Sequence, residues 1–257
     1  MARLTFKTLG GHGPDLVLIH GFGADRLSWA GNVAALLPVA RVHALDLPGH
    51  GESGPDVGSG TVTELASRVA ETLTAQGIAK PHLLGHSLGG AIAMELAVAA
   101  PERVASLALI APAGLGCGLD HDFLARYPEL AAPEETAALL GRLVNRPMLI
   151  NKFTVQHVLT QLSRPGTRDA LRRIAGALQA GEGQIDQTAM QIAETVTPRL
   201  VVWGGLDGIN PPDQARLSAF GGKTLFVPDA GHLPHIEAAR LVNAELSAFI
   251  MGANDDG

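Results

Sequence analysis

Residues 85–89 read Gly85-His86-Ser87-Leu88-Gly89, with Lys80-Pro81-His82-Leu83-Leu84 before them and Gly90-Ala91-Ile92-Ala93-Met94-Glu95-Leu96-Ala97 after. A short apolar run, a sharp turn and an alanine-rich helix follow one another without a gap. Such a junction puts Ser87 at the apex, in a positive-φ conformation that a non-glycine residue adopts only under constraint. Gly85 and Gly89 stand two residues to either side, where side chains would collide as strand and helix close up. The turn lifts the hydroxyl clear of the sheet and aims the first amides of the helix at its surroundings. A glycine-rich turn with an incidental serine is the plainer alternative, and the flanking strand and helix argue against it.

Outward from this elbow, strand and helix signals alternate. Leu4 to Thr8 alternates with period two, as an exposed edge strand does, and Leu16 to His20 is a short buried run. Arg41 to Leu47 reads as a further strand, Val62 to Gln76 carries apolar residues at helical spacing, and Val104 to Ile110 is again a strand. The rhythm breaks after Ala111-Pro112-Ala113-Gly114. Helical stretches then follow over Glu134 to Val144, Lys152 to Leu162 and Thr167 to Ala180, the last stopped by Gly181-Glu182-Gly183. Strands return at Pro198 to Gly204 and Lys223 to Val227, before a closing helix from Ile236 to Ile250 and a polar tail from Met251. The pattern predicts an α/β fold with a mostly parallel central sheet, helices on both faces and an inserted helical cap. The core is expected over 1–114 and 192–257, the cap over 115–191.

A serine hydroxyl needs a base, oriented by an acid, to act as a nucleophile. In parallel sheets such groups come from loops at the carboxyl ends of strands. Asp207 follows one late strand in Trp203-Gly204-Gly205-Leu206-Asp207, and His232 follows the next in Asp229-Ala230-Gly231-His232. The expected catalytic residues are therefore Ser87, His232 and Asp207, in the chain order serine, acid, base. His235 is a rival base; Asp46, Asp120 and Asp122 are rival acids. His12, His43, His82, His121 and His157 lie scattered, without metal-ligand spacing, and read as structural. The oxyanion hole is expected from the backbone amides of Leu88, at the start of the elbow helix, and of Phe22, in the turn His20-Gly21-Phe22-Gly23. Gly21, Phe22 and His86 are expected to border the substrate, the Phe22 ring serving either the acyl pocket or the core.

Composition bounds the rest. A chain of 257 residues with 46% hydrophobic and 17% charged residues suits one well-buried α/β domain with an insertion. A net charge of −6 argues against nucleic acid as a partner. The single cysteine, Cys117, rules out an internal disulfide and a multi-cysteine metal site, and is expected to be a small buried apolar residue near the cap hinge. No apolar run reaches membrane-span length, and Met1-Ala2-Arg3-Leu4-Thr5 has no signal-peptide character, so a cytoplasmic location without membrane partners is expected. The chemistry calls for a small-molecule substrate and no metal or organic cofactor; self-association stays open.

These motifs together resemble the α/β-hydrolase fold family over essentially the whole chain: the His20 to Gly23 turn, the Asp46 to Ser53 turn, the Gly85 to Gly89 elbow, Asp207 and His232. Arg103 to Gly116, Asn145-Arg146-Pro147-Met148 and Gly166 to Leu171 are similar to the hydrolase-like domain of the dihydrolipoamide acetyltransferase component of acetoin dehydrogenase. The meta-cleavage product hydrolases, which split carbon–carbon bonds with the same three residue types, are similar as well. Neither a lipoyl domain nor a His-x-x-x-Asp-Gly acyltransferase signature occurs within these residues. His86 stands where the carbon–carbon hydrolases often have Asn. The resemblance thus implies a serine hydrolase of small esters or thioesters, with carbon–carbon cleavage, acyl transfer or a non-catalytic binding module as alternatives.

The cap is locally basic. Arg142, Arg146, Lys152, Arg164, Arg168, Arg172 and Arg173 face a lone Asp169 between positions 142 and 173. A solvated surface explains the run; the sharper expectation is that one or two arginines pair with a substrate carboxylate or an acidic partner.

Overall fold

The computed structural model describes residues 4–255, with backbone alone at 254 and 255. Residues 1–3, the start of the stretch read for a signal peptide, and 256–257, the end of the tail, lie outside the described residues. The sheet has seven strands: β1 (Phe6–Gly10), β2 (Asp15–Ile19), β3 (Arg41–Leu45), β4 (His82–His86), β5 (Ser106–Ile110), β6 (Arg199–Gly204) and β7 (Lys223–Val227). Their spatial order is β1-β3-β2-β4-β5-β6-β7. Only β1 runs antiparallel, paired with β3 at one edge.

Two-residue periodicity divides the core. Val17, Ile19, Leu83, Leu109, Val201 and Trp203 point to one face. Leu16, Leu18, Leu84, Ala108, Leu200 and Val202 point to the other. The second face is covered by α1 (Ala30–Leu36) and, near the chain end, by a helix carrying Val242, Leu246 and Ile250. The first is covered by α2 (Val62–Ala75), whose Leu65, Val69 and Leu73 form its apolar stripe, and by α3 (Leu88–Ala99). Thr61 caps α2, its hydroxyl accepting the Glu64 amide at 3.3 Å.

Between β5 and β6 come α4 (His121–Arg126), α5 (Pro133–Gly141), α6 (Lys152–Leu162) and α7 (Thr167–Ala193). Phe123, Tyr127, Leu139, Val158 and Leu171 form their own apolar cluster, which roofs the carboxyl ends of the strands. Helix α7 does not stop at Gly181-Glu182-Gly183 as the sequence suggests. Leu178, Ile185, Ala189 and Ile192 pack with the sheet core on either side of the glycines, whose added Cβ atoms would meet open space. Burial outweighs the roughly 1 kcal/mol that each glycine costs a helix. After β6 come α8 (Gln214–Phe220), α9 (Pro234–Glu237) and α10 (Ala239–Asp255). The expected closing helix is thus split at Ala238, and its second half runs on through Met251 into the presumed tail.

Cys117 is exposed, not buried. Its amide donates to the Pro211 carbonyl at 2.7 Å, its thiol to the Pro212 carbonyl at 3.6 Å, and Gly116 bridges to Pro212, which holds the residue at the surface. No helix among the described residues is long and apolar enough to cross a membrane.

Candidate active site

Ser87 joins β4 to α3 with φ +51 and ψ −114. Its amide donates to the Ile110 carbonyl at 2.9 Å, and its carbonyl accepts the amides of Gly90, Ala91 and Ala113. These bonds hold a conformation that costs on the order of 1–3 kcal/mol in isolation. A Cβ on Gly85 would strike the Gly89 carbonyl, and one on Gly89 would strike the Ile19 carbonyl, so the helix closes on the strand only with glycine at both positions. Ser87 is half-buried, at the floor of a cavity of about 540 Å³ between sheet and roof.

Asp207 and His232 meet beside it. His232 Nδ1 donates to Asp207 Oδ2 at 2.8 Å, leaving Nε2 as the acceptor-capable nitrogen, and His232 lines the same cavity as Ser87. The Asp207 carboxylate is wholly buried and fully engaged: Oδ1 accepts the amides of Ile209 and Asn210 at 2.9 Å, and Oδ2 also accepts the Trp203 indole N–H at 3.1 Å. Among the described residues the Ser87 hydroxyl makes no hydrogen bond of its own. In an unliganded site that contact is often long and tightens with substrate.

The rivals are accounted for. Asp46 forms an ion pair with Arg26 and accepts the Glu52 amide at 2.9 Å. Asp120 caps α4 and pairs with Arg142, which also binds Asp122 at 2.7 Å. None of these carboxylates reaches His232. His235, on α9, is buried and neutral; burial and the neighbouring His232 push it down to about 3. His86 Nε2 donates to the His232 carbonyl at 3.0 Å, and burial, with His232 and His235 close by, holds its imidazole well below the usual range.

The His20 to Gly23 turn is fastened by imidazoles. His20 Nδ1 donates to the Gly21 carbonyl at 2.8 Å while its Nε2 accepts the Leu47 amide at 2.9 Å. His50 Nδ1 donates to the Pro48 carbonyl at 2.9 Å, and its Nε2 accepts the Gly23 amide at 3.0 Å. Burial lowers the pKa of both, that of His50 to about 3, so each stays neutral with one nitrogen donating and one accepting. The Tyr127 hydroxyl donates to the Gly23 carbonyl at 2.5 Å from the roof. The Phe22 and Leu88 amides have no partner among the described residues. Phe22 and His86 line the cavity; Gly21 does not, and lies instead under His86, where a Cβ would come within 2.7 Å of Nδ1.

Three contacts were not legible in the sequence. Glu237, 6% exposed, accepts the Gly231 amide at 2.6 Å and the Asn145 and Arg146 amides at 2.9 and 3.1 Å. The His232 amide donates to the Leu143 carbonyl at 2.8 Å, so the His232 loop and the roof segment 143–146 are tied twice. Asp25 and His157, both on the cavity wall, pair at 2.6 Å and join the loop after β2 to α6. The basic run of the cap, by contrast, lines no part of the cavity. Arg164 and Arg168 donate to the carbonyls of Gly51 and of Pro128 and Leu130, Arg172 pairs with Glu129, and Arg173 donates to the Gly58 carbonyl.

A family model described as the alpha/beta hydrolase fold matches residues 14–239. The chain is 40% identical over 248 residues to the dihydrolipoyllysine-residue acetyltransferase component of the acetoin cleaving system of Pseudomonas putida, covering 96% of this chain and 66% of that protein. The chain therefore spans slightly under two thirds of that relative's length. It is 32% identical over 230 residues to a 2-hydroxy-6-oxononadienedioate/2-hydroxy-6-oxononatrienedioate hydrolase of Burkholderia vietnamiensis, covering 82% of this chain and 77% of that one. Among solved structures, a thermophilic esterase from Thermogutta terrifontis superposes with a TM-score of 0.79 at 26% identity, covering 97% of this chain and 93% of the esterase.

Proposed function

The chain belongs to the α/β-hydrolase fold family, and on that premise we propose that it is a serine hydrolase cleaving a small carboxylic ester or thioester through an acyl-enzyme on Ser87. The observation that carries this reading is Ser87 at the apex of the elbow on the cavity floor, with His232 held by Asp207 on the wall of the same cavity. Ser87 Oγ attacks the acyl carbon as His232 Nε2 takes its proton. Asp207 stabilises the imidazolium. The carbonyl oxygen, now negative, is met by the Leu88 and Phe22 amides; one such donor contributes roughly 3–4 kcal/mol to the transition state. Collapse expels the alcohol or thiol, which takes the proton from His232. Water, activated by the same imidazole, then releases the acid and restores the serine.

Incubation with a fluorophosphonate probe and a series of p-nitrophenyl esters tests the proposal. Labelling confined to Ser87, with turnover that Ser87→Ala abolishes while its circular dichroism is unchanged, supports it. A chain that neither labels nor turns over is a binding module. A second reading, acyl transfer to a thiol acceptor, is favoured by the similarity to the acetyltransferase component. Product analysis with dihydrolipoamide added to the ester assay separates transfer from hydrolysis.

A further inference from the structure

Beyond the two amides that meet the reacting carbonyl oxygen, the cavity above Ser87 offers a substrate anion no lysine or arginine, only neutral groups such as the Ser28 and Thr154 hydroxyls and the unpartnered Nδ1 of His235. Its walls are apolar side chains such as Phe22, Phe123, Tyr127, Leu140, Leu178 and Ile209, and no Lys or Arg is among the described residues that line it. Arg142 stands nearest in the sequence to the roof's inner wall, and its guanidinium is turned to Asp120 and Asp122. The two carboxylates on the wall are already committed: Asp25 to the Leu27 amide and His157, Asp120 to the Phe123 amide and Arg142. His86 spends its Nε2–H on the His232 carbonyl, and burial keeps both His86 and His235 uncharged.

The apolar lining also continues outward. Leu27, Phe153 and Ile236 border the cavity and are 58%, 74% and 37% exposed, which makes an apolar rim where most proteins place polar side chains. A carboxylate carried into this space would lose its water without gaining a cation, whereas a hydrocarbon chain would gain contact along its whole length.

Taking Ser87 as the nucleophile proposed above, we propose that the site selects esters whose acyl part is uncharged and apolar, and rejects acyl groups that end in a free carboxylate. This sets the chain apart from the relative named for dioate substrates, which carry two carboxylates.

The test compares p-nitrophenyl hexanoate with the p-nitrophenyl half-ester of hexanedioate, chains of matched length that differ at the far end. The neutral ester is expected to have the higher kcat/KM by roughly 100-fold, most of it in KM, because the lost solvation of the carboxylate is felt equally in ground and transition states. Equal values, or a preference for the half-ester, overturn the proposal. The same pair titrated into Ser87→Ala by calorimetry reads selectivity without turnover. Tighter binding of the neutral ester in an enzyme that fails to label with fluorophosphonate would retain the selectivity and sink the nucleophile. Labelling at Ser87 with indifferent binding would do the reverse.

Discussion

On the His232 side of the cavity, carboxylates do the holding: Asp207 binds the imidazole, and Glu237 gathers three backbone amides from the His232 loop and the roof. On the side of the His20 to Gly23 turn the same task falls to His20 and His50, each donating to a carbonyl and accepting an amide. The two walls differ because their charges behave differently during the proposed reaction. The base side must host an imidazolium that comes and goes, so a fixed negative charge beside it stabilises the step. The oxyanion side has only to hold two amides still. A neutral imidazole does this with both nitrogens, and burial prevents the protonation that would convert its acceptor into a donor and release the Leu47 or Gly23 amide.

The largest effect that would break this contrast is at Asp207. Asp207→Asn keeps the shape of the base wall but leaves His232 with the wrong tautomer, and kcat is expected to fall roughly 10⁴-fold with KM little changed. Loss below tenfold in steady-state kinetics would mean that the charge is unimportant. On the other wall, Gly23→Ala would press a methyl into the Tyr127 ring at a residue with φ +74. The adjacent Phe22 amide would shift, and kcat is expected to fall about 10²-fold. An unchanged kcat with normal folding would remove the His20 to Gly23 turn from the oxyanion site.

Stability against pH sharpens the same comparison. His50 and His235 have folded-state pKa values of about 3 against an ordinary 6.5. The unfolded chain therefore binds protons that the native state refuses, and stability is lost as pH falls below 6.5. Together the two are expected to cost on the order of 3 kcal/mol between pH 7.5 and 5.5. Urea unfolding at the two pH values measures this, with His20 and His86 adding in the same direction, and replacing His50 by Asn should remove about half of what His50 and His235 contribute. A smaller change is expected for Glu237→Gln, which keeps one strong acceptor for three amides. A loss of about 2 kcal/mol should lower Tm by roughly 4–8 °C. A kcat that falls while the intact oxyanion wall keeps probe labelling stoichiometric would place the effect in the His232 loop.

The sheet was legible because its rules are local. Short runs of β-branched and leucine residues between glycine and proline turns gave the seven strands, and the spacing around Ser87 gave the elbow. Asp207 and His232 were readable because each directly follows a strand. What the sequence hid depends on what packs from afar. Glu237 looks like an ordinary acid in the first turn of a helix, and only the fold brings the 145–146 amides to it. His157 looks scattered until α6 sets it on Asp25. Gly181 and Gly183 signal a break that the burial of Leu178 and Ile185 cancels. The basic run of the cap reads as a solvated surface and most of it is exposed; what only the fold shows is that its guanidiniums also clamp carbonyls and acids of the fold and that none lines the cavity.

Helix α7 carries a mechanical consequence. It is continuous from Thr167 to Ala193, so a rod of about 40 Å lends one end to the roof and the other to the sheet. A roof seated on such a girder is not a flap that swings away on that side. Where Ile150 and Phe153 border the cavity, by contrast, the chain from Asn145 to Phe153 is largely solvent-washed. The same segment is where Leu143 and Glu237 moor the His232 loop, so any movement of this edge of the roof is transmitted to the His232 backbone.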